Sequence, residues 1–354
     1  MTPLRFGIVG CGIISGTHGD ALAKLKEEGL AEFVATTDVA PERAQAFAAR
    51  YGGEAVESFE ALLARPDIDA VTLCTPSGLH GRMTVQAARA GKHVLSEKPL
   101  DVWIDAVDEA IAAAKEAGIV YGGVFQERFS PAARQVKRAV DAGAFGDIVL
   151  ACAETKWYRS QGYYDTGAWR GTWALDAGVF SNQGIHSLDK VQWLAGPVAE
   201  VLSATLTPGF GRDIEGETLG VVTVRFENGA LGTLTMTTLA YDGFPERVDV
   251  SGTKGCAMLV GDHLAHFKTQ EPFEEDHPPA PNSGGEKASP SGNTSSDPAA
   301  LPVDGHLGNV RDFVLAVHEG REPLVSAPSA RHAVKLLNMI YEKARVGPYA
   351  DTRR

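Results

Sequence analysis

Leu4-Arg5-Phe6-Gly7-Ile8-Val9-Gly10-Cys11-Gly12-Ile13-Ile14-Ser15 begins with an apolar run, bends through a glycine turn and enters a helical stretch from about Ser15 to Glu28. A short strand, Leu4 to Val9, that runs into a GxGxxS turn is the signature of a dinucleotide-binding unit. Gly10 permits the tight bend and Gly12 lets a pyrophosphate approach the backbone. The helix that follows offers amide donors and the positive end of its dipole. Ser15 replaces the usual third glycine or alanine and is small enough for close helix-strand packing. A second strand, Glu32 to Thr37, ends in Asp38, whose carboxylate can accept hydrogen bonds from the adenosine ribose hydroxyls. The rival reading of these residues is a glycine-rich connection that binds nothing, with Asp38 capping the helix before Pro41.

The alternation continues: a helix at Pro41 to Arg50, a short strand near Ala55-Val56, a helix opened by Ser58, and an apolar strand from Ala70 to Cys74. Thr75-Pro76-Ser77-Gly78 breaks the chain, and a helix from about His80 to Ala90 follows, with His80 read as a helix-start residue. A strand at Lys92 to Leu95 then runs into Ser96-Glu97-Lys98-Pro99, a helix at Ile104 to Ala117 and a strand at Ile119 to Gly123. A βαβ series of this kind predicts a doubly wound parallel sheet of Rossmann type over residues 1–124, with Thr75 and Lys98 at strand carboxyl ends, where such sheets bind ligands. Pro99 restricts the residue before it, so Lys98 is aimed rather than free to wander. The alternative is a surface lysine in an ordinary loop.

Beyond residue 124 the pattern changes. A helix starts at Pro131. Alternating, β-branched stretches follow at Ile148–Lys156, Val198–Thr207, Thr218–Phe226, Leu231–Thr238, Glu246–Ser251 and Cys256–Val260, with Asn228-Gly229 as a hairpin signal. Successive strands without helices between them predict an α+β domain over 125–354, with a large open, mostly antiparallel sheet. Residues 271 to 302, rich in Pro, Ser, Gly and Asn, predict a mobile surface loop, and two helices are expected near Asn309–Glu319 and Ala330–Val346.

Within this second domain, Trp157 to Pro197 is not sheet-like. Tyr158, Arg159, Tyr163, Trp169 and Arg170 concentrate aromatic faces and guanidinium forks that suit sugars and anionic groups. The rival reading is a packed loop or a subunit contact. A helix capped at Ser181 or Asn182 and stopped by Gly196-Pro197 follows. On it Asn182, His186, Asp189 and Trp193 share one face, and such a polar stripe must be hydrogen-bonded or functional. One turn before His186, the neutral amide of Asn182 could orient an imidazole without stabilising its cation as a carboxylate would.

The 354 residues exceed one core of typical size, which suggests two domains, and 33 basic against 45 acidic residues disfavour nucleic acid or an anionic membrane as partner. Cys11, Cys74, Cys152 and Cys256 have no CxxC spacing, and neither an export signal nor an apolar run of membrane length is evident, so a reducing cytoplasm is the expected home. His186 lacks a partner at metal-ligand spacing, so no metal is expected.

The chain resembles the glucose-fructose oxidoreductase, inositol dehydrogenase and MocA group of NAD(P)-dependent oxidoreductases. The resemblance rests on GIVGCGIISGTH, CTPSGLH, AGKHVLSEKP and NQGIHSLDKVQWLAG. It implies that Lys98 belongs to the family's EKP signature and His186 to its DxxxH-type signature, with Asn182 standing where that signature carries aspartate. It further implies cofactor contacts at Gly10, Gly12, Ile13, Ile14, Asp38, Thr75, Pro76, His80, Glu97 and Lys98. Substrate contacts are implied at Lys98, Tyr158, Arg159, Tyr163, Trp169, Arg170, Asn182 and His186, with Lys98, His186 and Asn182 forming the catalytic set. NAD is expected rather than NADP, because Asp38 would repel a 2′-phosphate, although Arg43 lies a turn further on.

The expected reaction is hydride transfer between nicotinamide and a secondary hydroxyl of a sugar, inositol or nucleotide sugar. His186 would be the base and Lys98 the donor to the developing alkoxide, the two domains meeting at one cleft. Two rivals stand beside it: a glycoside hydrolase using transient NAD oxidation, and a non-catalytic sugar or dinucleotide sensor, against which the presence of both Lys98 and His186 argues. An open apolar sheet face in the second domain would support a homodimer or homotetramer.

Overall fold

A computed structural model describes residues 2–273 and 303–350, so the loop expected at 271–302 falls outside the described residues from 274 onward. The chain divides into two compact units, Met1–Gln126 with Leu301–Arg331, and Glu127–Ala300 with His332–Arg354.

In the first unit β1 (Leu4–Val9), β2 (Ala31–Thr37), β3 (Glu54–Ala55), β4 (Ala70–Leu73), β5 (His93–Ser96) and β6 (Tyr121–Gly123) form a parallel six-stranded sheet in the order β3-β2-β1-β4-β5-β6. This is the doubly wound order, with its switch point between β1 and β4. The connecting helices are α1 (Ile13–Glu27), α2 (Pro41–Tyr51), α3 (Phe59–Leu63), α4 (His80–Arg89) and α5 (Ile104–Ala117). Local chemistry sets their ends. Pro41 starts α2, Gly52 at φ +79° closes it, and the Ser58 hydroxyl accepts the Ala61 amide at 3.1 Å to cap α3.

The helix Val303–Glu319 belongs to this unit and not to the second domain, where the sequence reading places it. Its apolar stripe explains why: Val310, Phe313 and Val314 are buried in one cluster with Phe6, Leu22, Leu25 and Phe33. Asn309 ties it further, accepting the Phe125 amide at 3.0 Å and donating to the Gly123 carbonyl at 3.2 Å. The Gly123 amide donates to the Val325 carbonyl at 2.9 Å, so the edge beyond β6 is occupied.

The second unit holds α6 (Pro131–Asp141), β7 (Ile148–Lys156), the short α7 (Gln161–Tyr164), α8 (Ile185–Ala195), and β8 (Val198–Pro208), β9 (Glu217–Phe226), β10 (Leu231–Thr237), β11 (Arg247–Gly252), β12 (Gly255–Val260) and β13 (His263–Thr269). The strands make a seven-stranded sheet in the order β13-β12-β11-β7-β10-β9-β8, antiparallel except for the β7–β10 pair. The Asn228-Gly229 hairpin lies between β9 and β10, with Gly229 at φ +90° and the Asn228 carbonyl oxygen taking the Ala230 amide at 3.1 Å. β13 and α7 were not foreseen. The first is too mixed in hydropathy to alternate cleanly, and the second is a single turn capped by Ser160.

One face of this sheet is buried. Ala151 and Ala153 of β7, Leu234 and Met236 of β10 and Val248 and Val250 of β11 point inward, and α8 contacts β7 and β11. Every residue of α8 except Trp193 is buried. The outward face carries apolar residues mixed with polar ones. Val149, Leu150, Val221 and Leu231 are exposed there, but interspersed with Thr223, Thr233, Thr235 and the Arg247–Asp249 ion pair. Alternating strands put the buried residues on one face and this mixture on the other.

Beneath the segment leading to α8 lies Glu217, fully buried. Its Oε1 accepts the Phe180 amide at 2.9 Å and the Tyr341 hydroxyl at 3.0 Å, while Oε2 has no hydrogen-bond partner. Burial pushes this carboxyl up to about 7, with the nearby Asp176 adding to the rise against the opposing hydrogen bonds. The folded protein therefore holds the Glu217 proton more tightly than the unfolded chain does. The stabilisation is complete below the ordinary carboxylate pKa and is lost as pH rises through about 7. That loss is on the order of 3 kcal/mol. Urea midpoints measured from pH 5 to 8 should fall with pH in the wild type and fall less in Glu217→Gln; parallel curves would remove Glu217 as the source.

Candidate active site

The glycine turn is built to leave a surface open. Gly10 sits at φ +90°, and a Cβ there would meet the Cys74 carbonyl oxygen at 2.8 Å, so only glycine lets β1 and β4 lie side by side at the turn. At Gly12 a Cβ would meet nothing within 4 Å. Gly12 is also the N-cap of α1, with no side-chain cap and no acidic residue in the first turn. The first amides of α1 are thus left to an anion, and Ile13 is 63% exposed beside them. Ser15 is buried, its hydroxyl donating back to the Gly12 carbonyl at 2.6 Å. Asp38, just past the end of β2, accepts the Cys11 amide at 2.6 Å and the Ala40 amide at 2.8 Å, so it holds the glycine turn. These residues fit a dinucleotide: open helix amides, a turn without side chains and a carboxylate at the second strand's end.

Asp38→Ala should therefore weaken NAD binding about tenfold or more and relax discrimination against NADP, since one good hydrogen-bonded contact is worth that scale. Titration of both cofactors against both proteins checks it, and tighter binding of NADP than NAD by the wild type would overturn the assignment.

Lys98 lies two residues past β5, half-buried, its amide donating to Glu97 Oε2 at 3.2 Å, and the Lys98–Pro99 peptide is cis. Glu97 is buried and bonded through Oε1 to His18 Nε2 at 2.7 Å, with His306 Nε2 3.9 Å away. Burial would raise this carboxyl, but the His18 hydrogen bond and the charges of His18, His306 and Lys98 bring it down to about 2. Glu97 is thus an anchored anion beneath the lysine. His18 and His306 were missed in the sequence because both look like ordinary helix residues, far apart in the chain. His80 is fully buried, with Nδ1 at 2.7 Å from the Pro99 carbonyl oxygen and Nε2 at 2.8 Å from that of Thr75. Both ring nitrogens face main chain, so the implied cofactor contact is replaced by a clamp between the ends of β4 and β5. Thr75 and Pro76 remain half-buried at the end of β4.

In the second unit the aromatic and arginine segment folds on itself. Arg170 stacks on Tyr163 and Trp169, 4.4 Å from each ring centre, and donates to the Tyr163 hydroxyl at 2.7 Å. Arg159 is buried over Tyr163 and Trp157 and donates to the Tyr158 carbonyl at 2.8 Å. The Tyr158 ring instead turns to Tyr241 and Arg212. Tyr163, Arg159, Arg170 and Trp169 are thus linked by contact, whereas the Tyr158 ring points elsewhere.

Asn182 is not in the helix. α8 starts at Ile185 after the Gly184 N-cap, because residues 181–184 form a turn in which Gly184 packs so tightly on Met236 that a Cβ would lie 2.0 Å from its sulfur. The shared helical face expected for Asn182 and His186 therefore does not form as such. The Asn182 amide donates to Asp176 Oδ1 at 2.6 Å, and Asp176 Oδ2 accepts the Gly171 amide at 2.8 Å. His186 lies in the first turn of α8, buried. Asp189 and Lys190, next on the helix, are structural: Asp189 is paired with the buried Arg128, and Lys190 with the buried Glu246 and the partly exposed Glu127. Among the described residues no group of three or more His, Cys, Asp or Glu could hold a metal ion.

Residues 4–124 match the family model GFO_IDH_MocA, described as oxidoreductase family, NAD-binding Rossmann fold, and residues 133–258 match the GFO/IDH/MocA C-terminal domain. The chain belongs to the GFO/IDH/MocA oxidoreductase family. Among curated relatives, an uncharacterized oxidoreductase, YrbE of Bacillus subtilis, is 30% identical over 71% of this chain and 72% of its own. Inositol 2-dehydrogenase of Rhizobium meliloti is 28% identical over 71% of this chain and 74% of its own. Among solved structures, the WlbA dehydrogenase of Bordetella pertussis, in complex with NADH and UDP-GlcNAcA, is 32% identical, with a TM-score of 0.84 over 97% of both chains. The GFO/IDH/MocA membership makes the protein an NAD-binding oxidoreductase, and among the described residues no helix is long and apolar enough to cross a membrane.

Proposed function

We propose that this oxidoreductase transfers hydride between NAD and a secondary hydroxyl of a carbohydrate, with His186 as general base and Lys98 as donor to the substrate oxygen. The observation that carries the reading is Lys98 at the carboxyl end of β5, beside the switch point of a sheet whose glycine turn leaves helix amides open. When bound, nicotinamide supplies the hydride acceptor. His186 takes the hydroxyl proton, and Lys98 donates a hydrogen bond to the oxygen as it gains alkoxide character. Glu97, held by His18, keeps the lysine's main chain in place.

Arg159 and Arg170 around Tyr163 favour a substrate with an anionic group, such as a nucleotide sugar or a sugar acid. The WlbA likeness over nearly the whole chain supports the same class. Incubation with NAD and a panel of UDP-GlcNAcA, neutral sugars and myo-inositol tests the reading. NADH should accumulate in step with the substrate consumed. Bond cleavage without net NADH would identify the hydrolase instead, and binding without either reaction the sensor.

We further propose a cytoplasmic homodimer or homotetramer. The four cysteines are free thiols, which suits a reducing compartment, and Val149, Leu150, Val221 and Leu231 on the outward sheet face offer the apolar contacts for self-association.

A further inference from the structure

We infer that Asp176 is a positioning residue for the reaction, supplying from outside the signature the carboxylate that a DxxxH-type sequence would carry at 182. The inference rests on the reading of the turn before His186 as part of the catalytic machinery. Asp176 is 1% exposed, and its two oxygens are divided between the Gly171 amide at 2.8 Å and the Asn182 amide at 2.6 Å. A carboxylate only accepts, so the Asn182 group facing it must be the NH2, and the Asn182 carbonyl oxygen is turned away from Asp176. Asp176 therefore decides which end of the Asn182 amide each neighbour meets. Near the pair lies the Tyr163 hydroxyl, which receives Arg170 at 2.7 Å and the Gln183 amide at 3.4 Å. The chain from Gly171 through Asp176 to Asn182 joins the arginine and aromatic segment to the turn that starts α8.

The pair has one acceptor end and one donor end, and the two can be exchanged. In Asp176→Asn the carbonyl oxygen keeps the Gly171 amide, which leaves an NH2 facing the NH2 of Asn182, so the latter must flip or move away. In Asn182→Asp two carboxylates face each other across the present 2.6 Å contact. In the double variant Asp176→Asn/Asn182→Asp, the amide at 176 keeps Gly171 and donates to the carboxylate at 182, so the bond returns with its polarity reversed.

The test measures thermal unfolding and steady-state NADH production for the four proteins, with UDP-GlcNAcA and myo-inositol as probes. Each single variant should lower the melting temperature by about 3 °C or more and kcat/KM by about tenfold or more, and the double variant should recover both. If the melting temperature recovers and kcat/KM does not, the positioning role is wrong. If neither recovers, the Asp176–Asn182 bond itself is not the link. A wild type that oxidises neither probe would overturn the dehydrogenase reading for these substrate classes, and the melting temperatures would still decide the pairing.

Discussion

Lys98→Ala should turn over its carbohydrate about 10²-fold more slowly than wild type, the usual scale for removing a donor to a developing oxyanion, while binding NAD with nearly unchanged affinity. The separation follows from where the residue sits. In the proposed reading the pyrophosphate and ribose contacts fall to the glycine turn, the first amides of α1 and Asp38 rather than to the lysine side chain. Its side chain is half-buried at the end of β5, and its backbone is fixed by the Glu97 carboxylate and the proline that follows. Alanine keeps that backbone, so the variant should fold. Cofactor titration and single-turnover rates check it, and normal turnover by a folded Lys98→Ala protein would end the argument for an aimed lysine.

His186→Asn should lose still more, about 10²- to 10⁴-fold in kcat, if the imidazole is the base that takes the hydroxyl proton. Asparagine is the better probe than alanine because position 186 is buried in a helix whose neighbours Ser187, Asp189 and Lys190 are all engaged, and a cavity there would unsettle α8. An amide keeps hydrogen-bonding capacity and most of the volume but cannot accept a proton near neutral pH. Loss in kcat with little change in KM is the expected pattern, since the interaction is made in the transition state. A rise in KM alone would instead make His186 a binding residue.

The first unit was legible because its elements follow from local chemistry. β1 and β4 read as apolar runs, Pro41 and Ser58 marked helix starts, and the glycine turn announced its own backbone angles. The helix Val303–Glu319 was assigned to the wrong unit because an apolar stripe states that a helix will be buried, not against what. In the second unit the alternating strands gave the sheet, yet the β7–β10 parallel pairing depends on contacts far apart in the chain. At the site, Lys98 and His186 stood out by residue type and neighbours. Asp176 did not, because it lies in an aperiodic stretch and its role comes from the fold of the turn that brings it onto Asn182. The start of α8 was misplaced for a similar reason: Ser181 and Asn182 are good caps by type, but Gly184 packed on Met236 fixes where the helix begins.

The most direct test of hydride transfer to NAD follows the hydrogen itself. A carbohydrate identified from the panel is prepared with deuterium on the carbinol carbon, incubated with the enzyme and NAD, and the NADH formed is weighed by mass spectrometry. The account predicts one deuterium on the nicotinamide ring for each ketone produced. Product that forms without deuterated NADH being released would contradict it.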